Sequence, residues 1–314
     1  MARPDVLSLD ELAAALRAQP GEAYLWSLPR FAARAQQRLS VPAVPSLDDL
    51  PEKARVLIVL GGGARIDEAK LWRRDVRPGL RLIAIPSLWG SGAEASPVVA
   101  LDRDGKKRIE LDDALLPDAR CVWPELAEDL PEWRAREACG DAWSHAVEGF
   151  LSPLGGEGLR AEIAQLLRSM IALPLGRDAA WFEASAAACA AQARAGVGLV
   201  HGIAHAIEGP LARDLRPDER AFGHARLCSL FLAPVLALNR ELSPKFDDFT
   251  AAHGVDGAAV LAVADALFDR TSYRRTLGVL EANWRSVLLD PCSRTNSALV
   301  RPQHLTFFTE ERFR

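Results

Sequence analysis

Two apolar runs constrain what this chain can fold into. Residues 55–60 (RVLIVL) run without a polar break into Gly61, Gly62 and Gly63. Residues 81–85 (RLIAI) stop at Pro86 and lead into a second glycine-rich turn, residues 89–94 (WGSGAE). A strand that is apolar on both faces must be covered on both, which is the signature of a central strand in a parallel sheet. Residues 66–74 between them carry a helical pattern. Strand, glycine turn, helix, strand is the order of a doubly wound nucleotide-binding sheet.

The surrounding sequence extends this reading. Residues 10–17 and 31–39 have helical spacing, and residues 23–26 suit a short strand. Residues 41–50 hold Pro42 and Pro45 and read as a connection. Residues 98–101 and 107–111 flank Asp102-Arg-Asp-Gly105, a hairpin turn. After about residue 120 the strand patterns stop. From Trp133 onward the chain is rich in Ala and Leu with helical spacing, as in residues 260–268. Residues 224–238 are apolar nearly all round, which predicts a buried helix with Pro234 kinking it. The expected organisation is an α/β Rossmann-like N-terminal domain over residues 1–125 and an all-α C-terminal domain over 126–314. The cleft between two such domains is the default ligand site.

Charge and composition exclude several functions. The 314 residues carry a formal net charge of −4, and the basic residues are dispersed. A nucleic-acid binder would need them clustered to neutralise phosphates, so no nucleic-acid partner is expected. No apolar run approaches the roughly 20 residues that span a bilayer. The N-terminus carries Asp and Glu where a signal peptide would be cationic and then apolar. The expectation is a cytoplasmic protein with no membrane partner. The cysteines 121, 139, 189, 228 and 292 are widely spaced and form no CxxC, so they read as buried reduced thiols.

The candidate chemistry lies in the glycines and the histidines. Gly61, Gly62 and Gly63 between strand and helix would let a pyrophosphate approach the backbone at a helix N-terminus. A tight turn with no ligand explains them equally well. The chain has six histidines, four of them at 145, 201, 205 and 224. Asp141 and His145 are four apart, as are His201 and His205, so each pair shares a helix face. A carboxylate and several imidazoles on inward helix faces can chelate a divalent cation. A stripped former site is the competing explanation. Glu148 and Glu208 read as helix-surface acids. His253 and His304 carry no assigned role. No Gly-x-Ser-x-Gly elbow and no Cys/His pairing supports nucleophilic hydrolysis.

At these residues the chain resembles the iron-containing (group III) metal-dependent alcohol dehydrogenase family, as a shortened member. Residues 60–70 (LGGGARIDEAK) resemble that family's GGGSxxDxAK, and residues 85–94 (IPSLWGSGAE) its PTTAGTGSE. Residues 139–148 (CGDAWSHAVE) resemble GxDAxxHAxE, and residues 198–205 (GLVHGIAH) resemble GLxHxxAH. Residues 223–226 (GHAR) are similar to the PHGxA element, and residues 301–306 (RPQHLT) weakly to NPRxLT. The resemblance implies the dehydroquinate synthase-like architecture and NAD(P)-dependent interconversion of an alcohol and an aldehyde or ketone. It implies Asp141, His145, His201 and His224 as metal ligands, with Fe²⁺ the usual metal and Zn²⁺ acceptable to the same donors. His205 would face the nicotinamide and take part in a proton relay. Cofactor contacts would come from Gly61, Gly62, Gly63, Asp67, Ser87, Leu88, Ser91 and Lys106. The partner is a small-molecule alcohol or aldehyde, and a homodimer is the default assembly.

The sequence departs from that pattern at several points. A βα unit before the triple glycine is shortened or lost, and no acidic residue stands ready for an adenosine ribose, which leaves NAD and NADP both open. Leu88 replaces a threonine and Ala93 a serine. An insertion at residues 211–222 (LARDLRPDERAF) displaces His224 and reads as a loop. The chain ends soon after Thr306, where a final helix is expected in the family. Two other readings stay open: a lyase-type enzyme of the same fold, as in dehydroquinate synthase, and a degenerate binding or partner-dependent protein.

Overall fold

The computed structural model describes residues 3–18, 21–103, 106–213, 220–311 and 313; of residues 102, 103, 106 and 107 only the backbone is described. The chain divides into two compact units, Met1–Leu130 and Pro131–Arg314. No helix among the described residues is long and apolar enough to cross a membrane.

The first unit is a parallel sheet. Its strands are β1 (Asp5–Ser8), β2 (Ala23–Ser27), β3 (Val56–Gly61), β4 (Arg81–Pro86) and, after the antiparallel hairpin β5 (Val98–Arg103) and β6 (Lys106–Leu111), β7 (Ala119–Val122). The order in the sheet is β1-β7-β4-β3-β2, all parallel. The helices are α1 (Leu9–Ala18), α2 (Pro29–Leu39) and α3 (Gly63–Val76). Alternate residues point to opposite faces of a strand. Tyr24 and Trp26 of β2, Leu57 and Val59 of β3, and Leu82 and Ala84 of β4 therefore share one core, which Ile66 and Ala69 of α3 cover. Ile58 and Leu60 are equally buried. β1 is a strand that periodicity did not reveal: it is four residues long, mostly exposed, and held by pairing with β7 at the sheet edge.

The connection from α2 to β3 has an unexpected structure. Ser40 ends α2 in the left-handed region, φ +56°. Residues 41–44 then run along the outer edge of β2, where Leu25 N–H donates to Pro42 O at 2.9 Å and Val44 N–H donates to Leu25 O at 2.8 Å. No helix follows before β3. Instead the Arg77 guanidinium at the end of α3 donates to the carbonyls of Pro51, Glu52 and Ala54 at 2.8–2.9 Å. One side chain thus satisfies backbone acceptors that would otherwise be left to solvent.

A buried ion pair fixes the hairpin on α3. Lys70 is fully buried, and its ammonium donates to Asp67 Oδ1 at 2.9 Å, Ala93 O at 3.1 Å and Val98 O at 2.6 Å. Asp67 Oδ2 accepts from Ala100 N–H at 3.0 Å. Three donors on one ammonium meet three acceptors, which is what makes a buried charge tolerable.

The second unit is helical: α4 (Glu132–Leu151), α5 (Glu157–Ile171), α6 (Ala180–Ala195), α7 (Leu199–Arg213), α8 (His224–Leu242), α9 (Lys245–Ala252), α10 (Gly257–Leu267), α11 (Arg270–Leu289) and α12 (Leu305–Phe308). α4 is buried from Ala138 to Leu151 and packs against α6 and α8, while α7 packs against α8 and α11. Helix α8 is buried over most of its length, as its composition predicts, and runs through Pro234. The insertion is not wholly loop: α7 continues to Arg213, and residues 214–219 lie outside the described residues.

Gly140 sets the approach of α4 to α8. A Cβ there would meet Ser229 Oγ at 1.9 Å and the Ser229 Cα at 2.8 Å, so rotating the serine cannot relieve the clash. Alanine gains about 1 kcal/mol of helix propensity over glycine, and overpacking costs about 1–3 kcal/mol. With backbone in contact the second effect wins. Gly140→Ala is expected to lower the melting temperature measured by circular dichroism. In the first unit, Lys70→Met leaves the Asp67 carboxylate buried without its cation. Urea unfolding should show a loss of about 3–5 kcal/mol.

Candidate metal centre

The four histidines converge in the second unit. Asp141 and His145 come from the buried face of α4, His201 and His205 from the first two turns of α7, and His224 opens α8. Asp141 Oδ1 is their common neighbour: it lies 3.5 Å from His145 Nε2, 3.7 Å from His201 Nε2 and 3.8 Å from His224 Nε2. Donor atoms of a tetrahedral site with bonds of about 2.1 Å stand roughly 3.4 Å apart. The spacing around Asp141 is close to that. The rings crowd together, with centroids 4.4 Å apart for His145 and His201 and 5.3 Å apart for His201 and His224.

Burial governs the protonation of this group. It drives His145 and His201 well below the usual imidazole range, and the neighbouring histidines push the same way. Both rings are therefore neutral and offer lone pairs rather than positive charge. His201 Nε2 is buried and makes no hydrogen bond. Such an orphaned acceptor costs free energy unless something occupies it. Three imidazoles and a carboxylate are a donor set suited to Fe²⁺ or Zn²⁺. The residues fit a divalent cation.

Glu148 and Glu208 are not the surface acids their sequence context suggests. Glu148 is buried; its Oε2 lies 2.6 Å from His201 Nδ1 and its Oε1 accepts from Val200 N–H at 2.6 Å. Burial raises the Glu148 carboxyl, against backbone N–H donors that lower it. The bond fixes the proton of His201 on Nδ1 and leaves Nε2 directed at Asp141, the usual outer-shell arrangement of a metal-binding imidazole. Glu208 accepts from the His224 N–H at 3.0 Å and so satisfies the first turn of α8. The signal for Glu148 was available: 141, 145 and 148 fall on one helical face.

Two cysteines also meet histidines, contrary to the expectation of no Cys/His pairing. Cys228, one turn after His224, has its Sγ 3.6 Å from His224 Nε2. One donor atom each of Asp141, His201, His224 and Cys228 lie within 4.8 Å of one another. Cys292 Sγ lies 3.8 Å from His205 Nδ1. Burial lifts both thiols well above the ordinary range, so neither is a thiolate nucleophile at neutral pH.

The glycine turns of the first unit are built as follows. Gly61 ends β3 and Gly62 is the N-cap of α3, with open space where its Cβ would be. A Cβ on Gly63 would meet Ser91 Oγ at 2.5 Å, so the turn after β3 packs directly on the turn after β4. The second turn needs its glycines, with φ +107° at Gly90 and +55° at Gly92. Ser87 is buried and its N–H donates to Gly61 O at 2.8 Å, while Leu88 and Ser91 are half-buried. Asp67 is spent inside the fold, on Lys70 and Ala100 N–H; its carboxylate ties α3 to the hairpin. The Lys106 side chain lies outside the described residues. Arg65, which sequence reasoning passed over, stacks on Trp26 at 4.1 Å and lies across Gly61. It stands at the rim of a groove of about 520 Å³ lined also by Ser46, Asp48, Glu68 and Trp72.

No family model matches the chain. It is 28% identical over 244 residues to maleylacetate reductase 2 of Cupriavidus pinatubonensis, covering 72% of this chain and 63% of that protein. It is 32% identical over 171 residues to the 1-propanol dehydrogenase PduQ of Salmonella typhimurium, covering 49% of this chain and 46% of that protein. The chain thus aligns with less than two thirds of the length of either relative. Among solved structures, it is similar to the iron-containing alcohol dehydrogenase of Thermococcus thioreducens, with a TM-score of 0.74 at 17% identity over 98% of both chains. It is likewise similar to an alcohol dehydrogenase of Oenococcus oeni, with a TM-score of 0.78 at 16% identity over 98% of both chains. The curated relatives it matches are named as a reductase and a 1-propanol dehydrogenase, and its parallel-sheet and helical units have the fold of the iron-containing alcohol dehydrogenases.

Proposed function

We propose that the chain interconverts an alcohol and an aldehyde or ketone by hydride transfer, using NAD or NADP and a divalent metal. One observation carries the reading: three imidazole Nε2 atoms lie within 3.8 Å of one Asp141 oxygen, with the His201 acceptor left without a hydrogen bond. The relatives support the reaction class, being by name a reductase and a 1-propanol dehydrogenase.

Asp141, His145, His201 and His224 would hold the cation, which when bound supplies Lewis acidity to a substrate oxygen. Gly61, Gly62 and Gly63 with Ser87, Leu88 and Ser91 would hold the dinucleotide, which supplies or accepts the hydride. The open backbone at Gly62 leaves α3 free to present N–H donors and its dipole to a pyrophosphate. Glu148 keeps His201 in the tautomer with a free Nε2. The packing of α4 and α7 buries Asp141, His145 and His201, which strengthens the electrostatic contacts among them. His205, stacked on His224 with ring centroids 5.3 Å apart, is the residue to which we assign the proton of the substrate hydroxyl.

Titration of Fe²⁺- or Zn²⁺-loaded protein with NADH and NADPH, followed by cofactor fluorescence, should show saturable binding of one of them. A screen of aldehydes should then show turnover by loss of nicotinamide absorbance. His201→Ala should retain cofactor binding and lose turnover by more than about a hundredfold, beyond the cost of a lost outer-shell partner. Binding of neither cofactor, or full turnover in His201→Ala, would contradict the reading. Glu148→Gln keeps the shape but loses the carboxylate charge. Competition against a chelator should show its metal affinity about 10–100-fold weaker.

A further inference from the structure

We infer that Asp290 is a positioning residue for His205: it fixes the ring with its proton on Nδ1 and so reserves Nε2 for the reacting side. The inference rests on the proton role given to His205 above. Asp290 is the residue that caps the C-terminus of α11, and its Oδ2 lies 3.3 Å from His205 Nδ1. Its Oδ1 accepts from the Cys292 N–H at 2.8 Å, so the carboxylate is held from two directions. Both side chains are largely withdrawn from solvent, at 5% exposure for His205 and 14% for Asp290. A carboxylate in this setting accepts a proton from imidazole and does not donate one, which selects the Nδ1–H tautomer.

The turn that carries this carboxylate is itself anchored to α7. Thr295 Oγ1 donates to Val197 O, and Asn296 Oδ1 accepts from Leu199 N–H at 3.3 Å. Asn296 also exchanges hydrogen bonds of 2.7 and 3.1 Å with Asn239 of α8. The segment after α11 therefore registers against the helices that supply His201, His205 and His224. The other restraint on the ring is the His224 imidazole, stacked on it with planes 19° apart. The 3.3 Å Asp290 contact at Nδ1, nearer than the Cys292 Sγ at 3.8 Å, and the His224 stack on the face both restrain the ring. Neither restraint uses Nε2. A helix cap needs only some residue that ends α11; the carboxylate at Nδ1 is a more specific feature, and a purely structural role does not call for it.

The test uses Zn²⁺-loaded protein labelled with ¹⁵N-histidine, with His205→Gln identifying the His205 signals. Wild-type protein should show His205 protonated on Nδ1. Asp290→Ala should shift it toward the other tautomer, while metal content stays unchanged. In kinetics, Asp290→Ala should lower kcat about 10–100-fold with KM for the carbonyl substrate within about threefold. In the His205→Gln background the same substitution should add less than about a twofold loss. Asp290→Asn retains volume and an acceptor oxygen, and should fall between wild type and alanine. An unchanged tautomer in Asp290→Ala, or an equal kcat loss with and without His205, would overturn the inference. If wild-type protein reduces no carbonyl compound, the functional reading fails while the NMR result still decides the role of Asp290.

Discussion

The contact between Glu148 and His201 joins the packing of the helical unit to its chemistry. A carboxylate buried between α4 and α7 would be costly without partners. The 2.6 Å contacts to Val200 N–H and His201 Nδ1 supply them. Those same contacts seat the first turn of α7 on α4 and orient the His201 ring toward Asp141. Helix register and donor geometry are thus set by the same atoms. Gly140 acts on the same arrangement from the other side, because it brings α8, and with it His224 and Cys228, up to the helix that carries Asp141.

The sheet unit solves a different problem. Two glycine turns must pass close to one another and still leave a helix N-terminus open. Gly63 meets Ser91 while Gly62 meets nothing. Charged residues near these turns mostly hold the scaffold: Asp67 and Lys70 fix the hairpin, and Arg77 ties down a connection that has no helix. Arg65 is the exception, a guanidinium lying over the turn itself.

Much of this was legible in the sequence, for identifiable reasons. β3 and β4 are apolar on both faces, and α8 is apolar all round; such patterns have few alternative explanations. The i,i+4 spacing of Asp141 with His145 and of His201 with His205 placed each pair on one helix face, since helix geometry turns spacing into proximity, whereas His224 was indicated by the resemblance. What remained hidden depended on long-range pairing. β1 is defined by its partner β7, not by its own four residues. Asp67 carries a motif-like position, but its oxygens are claimed by Lys70, one helical turn on, and by the N–H of Ala100, far along the sequence in the hairpin. Glu148 looked like a surface acid because a single carboxylate on an amphipathic helix usually is one. Cys228 and Asp290 reach the histidines only after α8 and α11 have packed.

The central claim is that Asp141, His145, His201 and His224 form the donor set of one metal site. X-ray absorption at the zinc edge of Zn²⁺-reconstituted protein tests it most directly, because it distinguishes the Cys228 sulfur from nitrogen and oxygen. The account predicts one tightly held zinc per chain with only nitrogen and oxygen donors at about 2.0–2.1 Å. A sulfur donor at about 2.3 Å, or no tightly held metal, would contradict it.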